Sequence, residues 1–224
     1  MAKIAQTMAY NKEQMDICLE GREEIEVWMR GLCRILEEVR QSAHELHARV
    51  NQTYDGTKPY GVHLDMVAQS VYDYAYLVCD DERDLLPLFF GAYYHDSIED
   101  ARLTYNDVMA TAKRWMDDRQ AYLAAEIVYA LTNDKGRTRE ERAGAHYYQG
   151  IRETPYAPFV KLADRLANIT YSCQSKEAHN QRMREVYLRE LPHFLEAIDA
   201  HSTDPRFALP EEMINRIHQC FRQN

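Results

Sequence analysis

Apolar residues recur every three to four positions along most of this chain, and that spacing predicts helices rather than strands. From Ile17 to about Val50 the apolar side is Trp28, Leu32, Ile35, Leu36, Val39, Ala43, Leu46 and Val50. Acids gather early in that segment and bases late, as a helix dipole prefers. Residues 1–15 precede it and read as a loosely held leader. Asn51 to Pro59 is polar and reads as a loop, with a turn at Asp55-Gly56. A second helix is expected from about Val62 to Val78, with Met66, Val67, Val71, Tyr74 and Ala75 facing inward. After the charged connector Asp80–Asp84, a third runs from about Leu85 into His95-Asp96. Pro87 then falls in its first turn, where a missing N–H costs least. Thr104 and Asp107 have the spacing of a capping box and start a helix over Val108 to Trp115. Further helices are expected at Ala121–Leu131, Pro158–Tyr171, His179–Ala200 and Pro210–Phe221, and Thr132–Arg139 reads as a loop into a short helix. With no internal repeat and no sustained heptad, the pattern predicts an all-α fold: one compact multi-helix bundle over residues 16–224.

Composition narrows the function more than the fold. With only 8 Gly and 7 Pro in 224 residues, a turn-rich β fold is disfavoured. A net charge of −9 argues against a general nucleic-acid binder, which needs a basic surface. It leaves room for a small anionic substrate held in a local basic or metal-bearing pocket. Five cysteines without a CxxC pair are unlike a disulfide framework or a zinc finger, and point to a reducing compartment. No apolar run approaches a membrane span and the N-terminus lacks a signal-type apolar core, so a cytoplasmic protein with no membrane partner is expected. Nothing in the sequence sets the oligomeric state.

The candidate chemistry centres on Tyr93-Tyr94-His95-Asp96-Ser97-Ile98-Glu99-Asp100, at the end of an apolar run. If this stretch is helical, His95 and Glu99 share a face, and so do Asp96 and Asp100. Charge so close to a core is costly unless compensated, and a divalent cation is the natural compensation. His63 and Asp164 lie at the ends or faces of other expected helices. Each alone is more often structural than functional. Together with His95 and Asp96 they form a mixed nitrogen and oxygen set, suited to Mn, Fe, Zn or Mg-like ions rather than to a closed structural zinc site.

Three extended stretches carry a resemblance. Lys58-Pro59-Tyr60-Gly61-Val62-His63, His95-Asp96-Ser97-Ile98-Glu99-Asp100 and Val160-Lys161-Leu162-Ala163-Asp164-Arg165-Leu166-Ala167-Asn168 occur in that order. They resemble motifs of the HD-domain metal phosphohydrolases, in particular the RelA/SpoT-type alarmone (ppGpp) hydrolase domain and its stand-alone small alarmone hydrolases. Leu131-Thr132-Asn133-Asp134-Lys135 resembles a further stretch of that family, and the likeness runs from about His44 to Tyr171.

The resemblance implies that His63, His95, Asp96 and Asp164 bind a catalytic ion, usually Mn²⁺. It implies that Glu99 and Asp100 activate the attacking water and handle protons, and that Asn168 contacts the nucleotide. Lys161, Lys135 and Arg165 are candidates to neutralise a pyrophosphate, as are Arg137 and Arg139, for which a surface role is equally plain. The implied reaction is removal of the 3′-pyrophosphate of ppGpp by a hydrolase without a synthetase domain. The chain departs from the family where an Arg-Lys pair packs on the purine: those positions fall on Gln52 and Thr53. That departure keeps open a phosphatase of another 3′- or 2′-phosphorylated nucleotide, NADPH included, and a module that binds a nucleotide without turning it over. Tyr54 or Tyr60 could supply a stacking face instead. Of the remaining histidines, His44 and His47 are expected nearest the pocket. His146, His179, His193, His201 and His218 are expected in packing or surface roles, while Tyr93-Tyr94 and Tyr147-Tyr148 could border a nucleotide, with core packing the default.

Overall fold

A computed structural model describes residues 2–222; the side chains of residues 2–19, 139 and 140 lie outside the described residues. The chain is almost wholly helical, in the order α1 (Ala2–Arg49), α2 (Gly61–Tyr74), α3 (Glu82–Tyr94), α4 (Tyr105–Ala112), α5 (Asp118–Leu131), α6 (Arg139–Arg142), α7 (Ala145–Glu153), α8 (Ala157–Gln174), α9 (Ala178–Ile198) and α10 (Glu211–Arg222). Short 3₁₀ turns follow α2 and precede α10. This is the all-α bundle that the apolar spacing predicts. The backbone of α1 begins at Ala2, so it takes in residues 2–15 of the segment expected as a leader; Met1 lies outside the described residues. Among the described residues no helix is long and apolar enough to cross a membrane.

The core forms around α3 and α8. Every residue of α3 from Asp84 to Tyr94 is buried, and α8 buries Ala157 to Val160, Leu162, Ala163, Arg165 to Ala167 and Ile169. Helix α8 packs against α2, α9 and α10, while α3 packs against α1, α2 and α5. Burying these aliphatic and aromatic faces is the main favourable contribution to the fold.

Three local features differ from the sequence expectation, each for a visible reason. Helix α3 starts at Glu82, capped by Asp81, so Pro87 lies inside it rather than in its first turn. The carbonyl that Pro87 cannot engage, that of Arg83, accepts a hydrogen bond from Gln120 Nε2 at 2.7 Å. The same Gln120 closes the capping box of α5 through Asp117. The expected capping box of Thr104 and Asp107 is present at the start of α4.

The expected loop over 51–59 is a small hairpin, with Thr53 opposite Pro59 and Tyr54 opposite Lys58. Asp55 and Gly56 both take positive φ, 56° and 69°, as its tight turn requires. Asp55 is held there by bonds to its carboxylate from the Tyr171 hydroxyl at 2.8 Å and Asn180 Nδ2 at 2.9 Å. Finally, α3 ends at Tyr94, and residues 95–100 form consecutive turns instead of a regular helix. One helical bond persists there, from the Asp100 N–H to the Asp96 carbonyl at 2.8 Å.

Candidate metal centre

Helix packing brings four side chains from three parts of the chain to one point. His63 comes from the first turn of α2, His95 and Asp96 from the turn after α3, and Asp164 from the middle of α8. His63 Nε2 lies 3.2 Å from His95 Nε2 and 3.3 Å from Asp164 Oδ1. Asp96 Oδ2 stands 2.9 Å from His95 Nε2 and 3.8 Å from His63 Nε2, and His95 Nε2 is 3.9 Å from Asp164 Oδ1. Ligands about 2.1 Å from one ion stand roughly 3 to 4 Å apart, so the donor set fits a single divalent cation. The tightest group is His63, His95 and Asp96, whose donor atoms all lie within 4.8 Å of one another. Asp164 joins them through the two imidazoles.

Surrounding groups fix these donors. His95 Nδ1 lies 2.8 Å from the Ala92 carbonyl and donates its proton there, so Nε2 is the ring nitrogen that faces the cluster. The Tyr60 hydroxyl donates to Asp96 Oδ2. Asn168 Nδ2 donates to Asp164 Oδ1 at 2.6 Å, and Lys161 Nζ reaches Asp164 Oδ2 at 3.0 Å. The rings of Tyr54 and His63 stack at 5.1 Å.

The electrostatics are those of a site short of positive charge. Burial works to raise the Asp96 and Asp164 carboxyls, but His95 beside one and Lys161 beside the other hold both well below the ordinary carboxylate range. Burial likewise opposes a charged His95, yet Asp96 and Asp164 lift its pKa to about 9. Desolvation, then the negative charges of Asp96 and Glu99, push the Asp100 carboxyl up to about 6. Burial and the neighbouring Asp96 keep the Tyr60 hydroxyl protonated, as its donor role requires.

The centre opens into a cavity of about 810 Å³ whose lining includes His63, Asp96, Glu99, Asp100, Lys161, Asp164, Arg165 and Asn168. Glu99 accepts from Asn133 Nδ2 at 2.7 Å and Asp100 from Gln52 Nε2 at 3.0 Å. Three of the expected substrate contacts are already engaged. Asn168 donates to both the carbonyl and the carboxylate of Asp164 and accepts from the Tyr54 hydroxyl, so it braces the centre. Arg165 is bonded to Glu190 at 3.2 Å and lies over the rings of Phe194 and Tyr187. Lys161 lines the cavity, paired with Asp164.

Lys135 is not brought to the site. It is exposed, and from its stretch the cavity takes Asn133 and Thr138 instead. Arg137 is exposed as well, and the Arg139 side chain lies outside the described residues. His47 is fully buried behind Tyr60, with the two rings stacked at 4.7 Å, and His44 bonds Asp65. Neither histidine lines the cavity. Tyr147 and Tyr148, which could border a nucleotide, do line it, and sequence reasoning passes over Arg142, Tyr187, His193 and Phe194, which line it as well. Tyr148, Tyr187 and His193 sit on amphipathic helices outside any recognisable motif, and only packing brings them to the site. No family model matches the chain, and no curated protein matches it.

Proposed function

We propose that this protein is a metal-dependent phosphohydrolase of a small phosphorylated nucleotide, of the HD type. The observation that carries this reading is the convergence of His63, His95, Asp96 and Asp164 within 3.9 Å contacts at the edge of a cavity that also contains Glu99 and Asp100. Those four residues would hold the ion, Mn²⁺ by the family resemblance. Bound there, such an ion supplies Lewis acidity toward a phosphoryl oxygen and toward water.

The remaining work falls to the chain's own groups. Tyr60, Asn168 and Lys161 fix the orientation of the two ligand carboxylates, so little reorganisation accompanies reaction. Glu99 and Asp100 are the carboxylates left over by the ion cluster, aligned by Asn133 and Gln52, and are the groups to take and return a proton. Lys161 is the cation best placed to face transferred phosphoryl oxygens, since an ammonium has donors beyond the one used on Asp164.

Within this class, the extended motifs favour removal of the 3′-pyrophosphate from ppGpp, giving GDP and pyrophosphate. A second reading, release of a single phosphate from a 3′- or 2′-phosphorylated nucleotide such as NADPH, draws on the charge of the cavity. Asp96, Glu99, Asp100, Asp164 and Glu190 outnumber Lys161, Arg142 and Arg165, and two of these bases are already paired with acids. Such a lining suits fewer phosphates. Incubation with Mn²⁺ and ppGpp should yield GDP and pyrophosphate. Phosphate from NADPH or a 3′-phosphonucleotide, with ppGpp untouched, would select the second reading. No turnover of any of them would contradict both.

A further inference from the structure

We infer that the nucleobase of the substrate sits against the aromatic wall that α7 and α9 give the cavity, formed by Tyr148, Tyr187 and His193. This rests on the phosphohydrolase reading for its ligand class and adds a location that the family resemblance does not supply.

The aromatic groups near the ion are already committed. Tyr54 stacks on His63 at 5.1 Å and meets Tyr171 edge-on at 4.8 Å, while Tyr60 stacks on buried His47 at 4.7 Å. Gln52, where the resemblance expects a base-stacking arginine, is bonded to Asp100. A flat heterocycle therefore finds its platform elsewhere along the cavity. Tyr148 and His193 meet edge-on at 6.3 Å; Tyr148 also packs on Tyr147 at 5.3 Å but is only half-buried and His193 is exposed, so both rings keep surface for a ligand. Beneath them the Arg165 guanidinium lies 4.8 Å from the Tyr187 ring centre and 4.3 Å from that of Phe194, and its bond to Glu190 stiffens this floor.

Charge divides the cavity in the same sense. On the α9 side the cation Arg165 is neutralised by Glu190, so a phosphate gains little there and meets a carboxylate. An uncharged ring loses nothing by that pairing and gains stacking surface, worth about tenfold or more in affinity per base. With phosphate at the ion end and base at the aromatic end, both halves of a nucleotide meet complementary chemistry.

The test uses GMP and ribose 5-phosphate as probes of the full-length chain in Mn²⁺, by isothermal titration calorimetry. The expected result is that GMP binds about tenfold more tightly than ribose 5-phosphate. Tyr148→Leu and His193→Leu should each erode that ratio without changing ribose 5-phosphate affinity, and Tyr148→Phe, which keeps the ring, should retain it. Equal binding of the two probes, binding of neither, or a ratio untouched by both leucine substitutions overturns the inference. A wall-dependent ratio in a protein that turns over no phosphorylated nucleotide upholds the wall and removes the phosphohydrolase reading. Turnover with equal binding of the probes does the reverse.

Discussion

Gln52 and Asp100 are joined across the mouth of the site by a 3.0 Å hydrogen bond from the amide Nε2 to the carboxylate Oδ2. The position at which the resemblance expects a cationic base-stacking residue thus holds Asp100, the carboxylate proposed to handle protons, instead. A neutral donor can orient that carboxylate without the ion pairing an arginine would impose. Gln52→Ala should lower kcat for the hydrolysed nucleotide by about tenfold, a fraction of what a general acid or base typically contributes. Bound metal should be unchanged. Steady-state kinetics beside a metal assay check this, and an unchanged kcat would show that Asp100 needs no such partner.

His47 presents a separate relationship. It is fully buried, its two ring nitrogens have no hydrogen-bond partner, and burial lowers its pKa to about 4, so it is a neutral ring stacked on Tyr60. Replacing an unpartnered buried polar ring by an apolar one of similar shape is neutral or stabilising, whereas truncation leaves a cavity. His47→Phe should match or exceed the parent in thermal unfolding. His47→Ala should lose about 2–4 kcal/mol. A His47→Phe protein as unstable as His47→Ala would point to a polar role for the imidazole.

The Arg40–Asp65 pair predicts a pH dependence of stability. Burial works to raise the Asp65 carboxyl, but the Arg40 hydrogen bond and the charges of His44 and Arg40 outweigh it, and the folded pKa lies below the ordinary value. A carboxyl depressed on folding adds stability above its unfolded pKa of about 3.9, and that stability disappears as pH falls through the folded value. The side chains remain 37% and 36% exposed, so solvent screening limits the contribution to about 1 kcal/mol at most. Arg40→Met should therefore be less stable than the parent at pH 7, with the gap closing as pH drops below about 4. Denaturant unfolding across pH 3–7 reads the difference, and a gap that stays constant would contradict the assignment.

Much of the fold could be read from the apolar spacing, because α2, α5 and α10 each bury one periodic face. The start of α3 shifts because Asp81 caps it at Glu82 and Gln120 engages the carbonyl left open by Pro87. The convergence of His63, His95, Asp96 and Asp164 was legible because these residues fall within three short motifs. Lys135 was misplaced because nearness in sequence to a motif does not bring a long, exposed side chain to a cavity. The Gln52–Asp100 and Tyr60–Asp96 bonds were not legible, since each depends on how the hairpin packs against the turn after α3. Of the wall of Tyr148, Tyr187 and His193, only the Tyr147-Tyr148 pair could be read as bordering a nucleotide, for an aromatic on an amphipathic helix reads as core until a cavity is found beside it.

The central claim is that His63, His95, Asp96 and Asp164 hold one divalent ion. The most direct measurement is the Mn²⁺ content of metal-stripped protein after equilibrium dialysis, for the parent chain and for His95→Ala and Asp164→Ala. The account predicts one ion per parent chain and loss of that ion in both variants. A parent chain that takes up none, or a His95→Ala or Asp164→Ala protein that keeps its full complement, would contradict it.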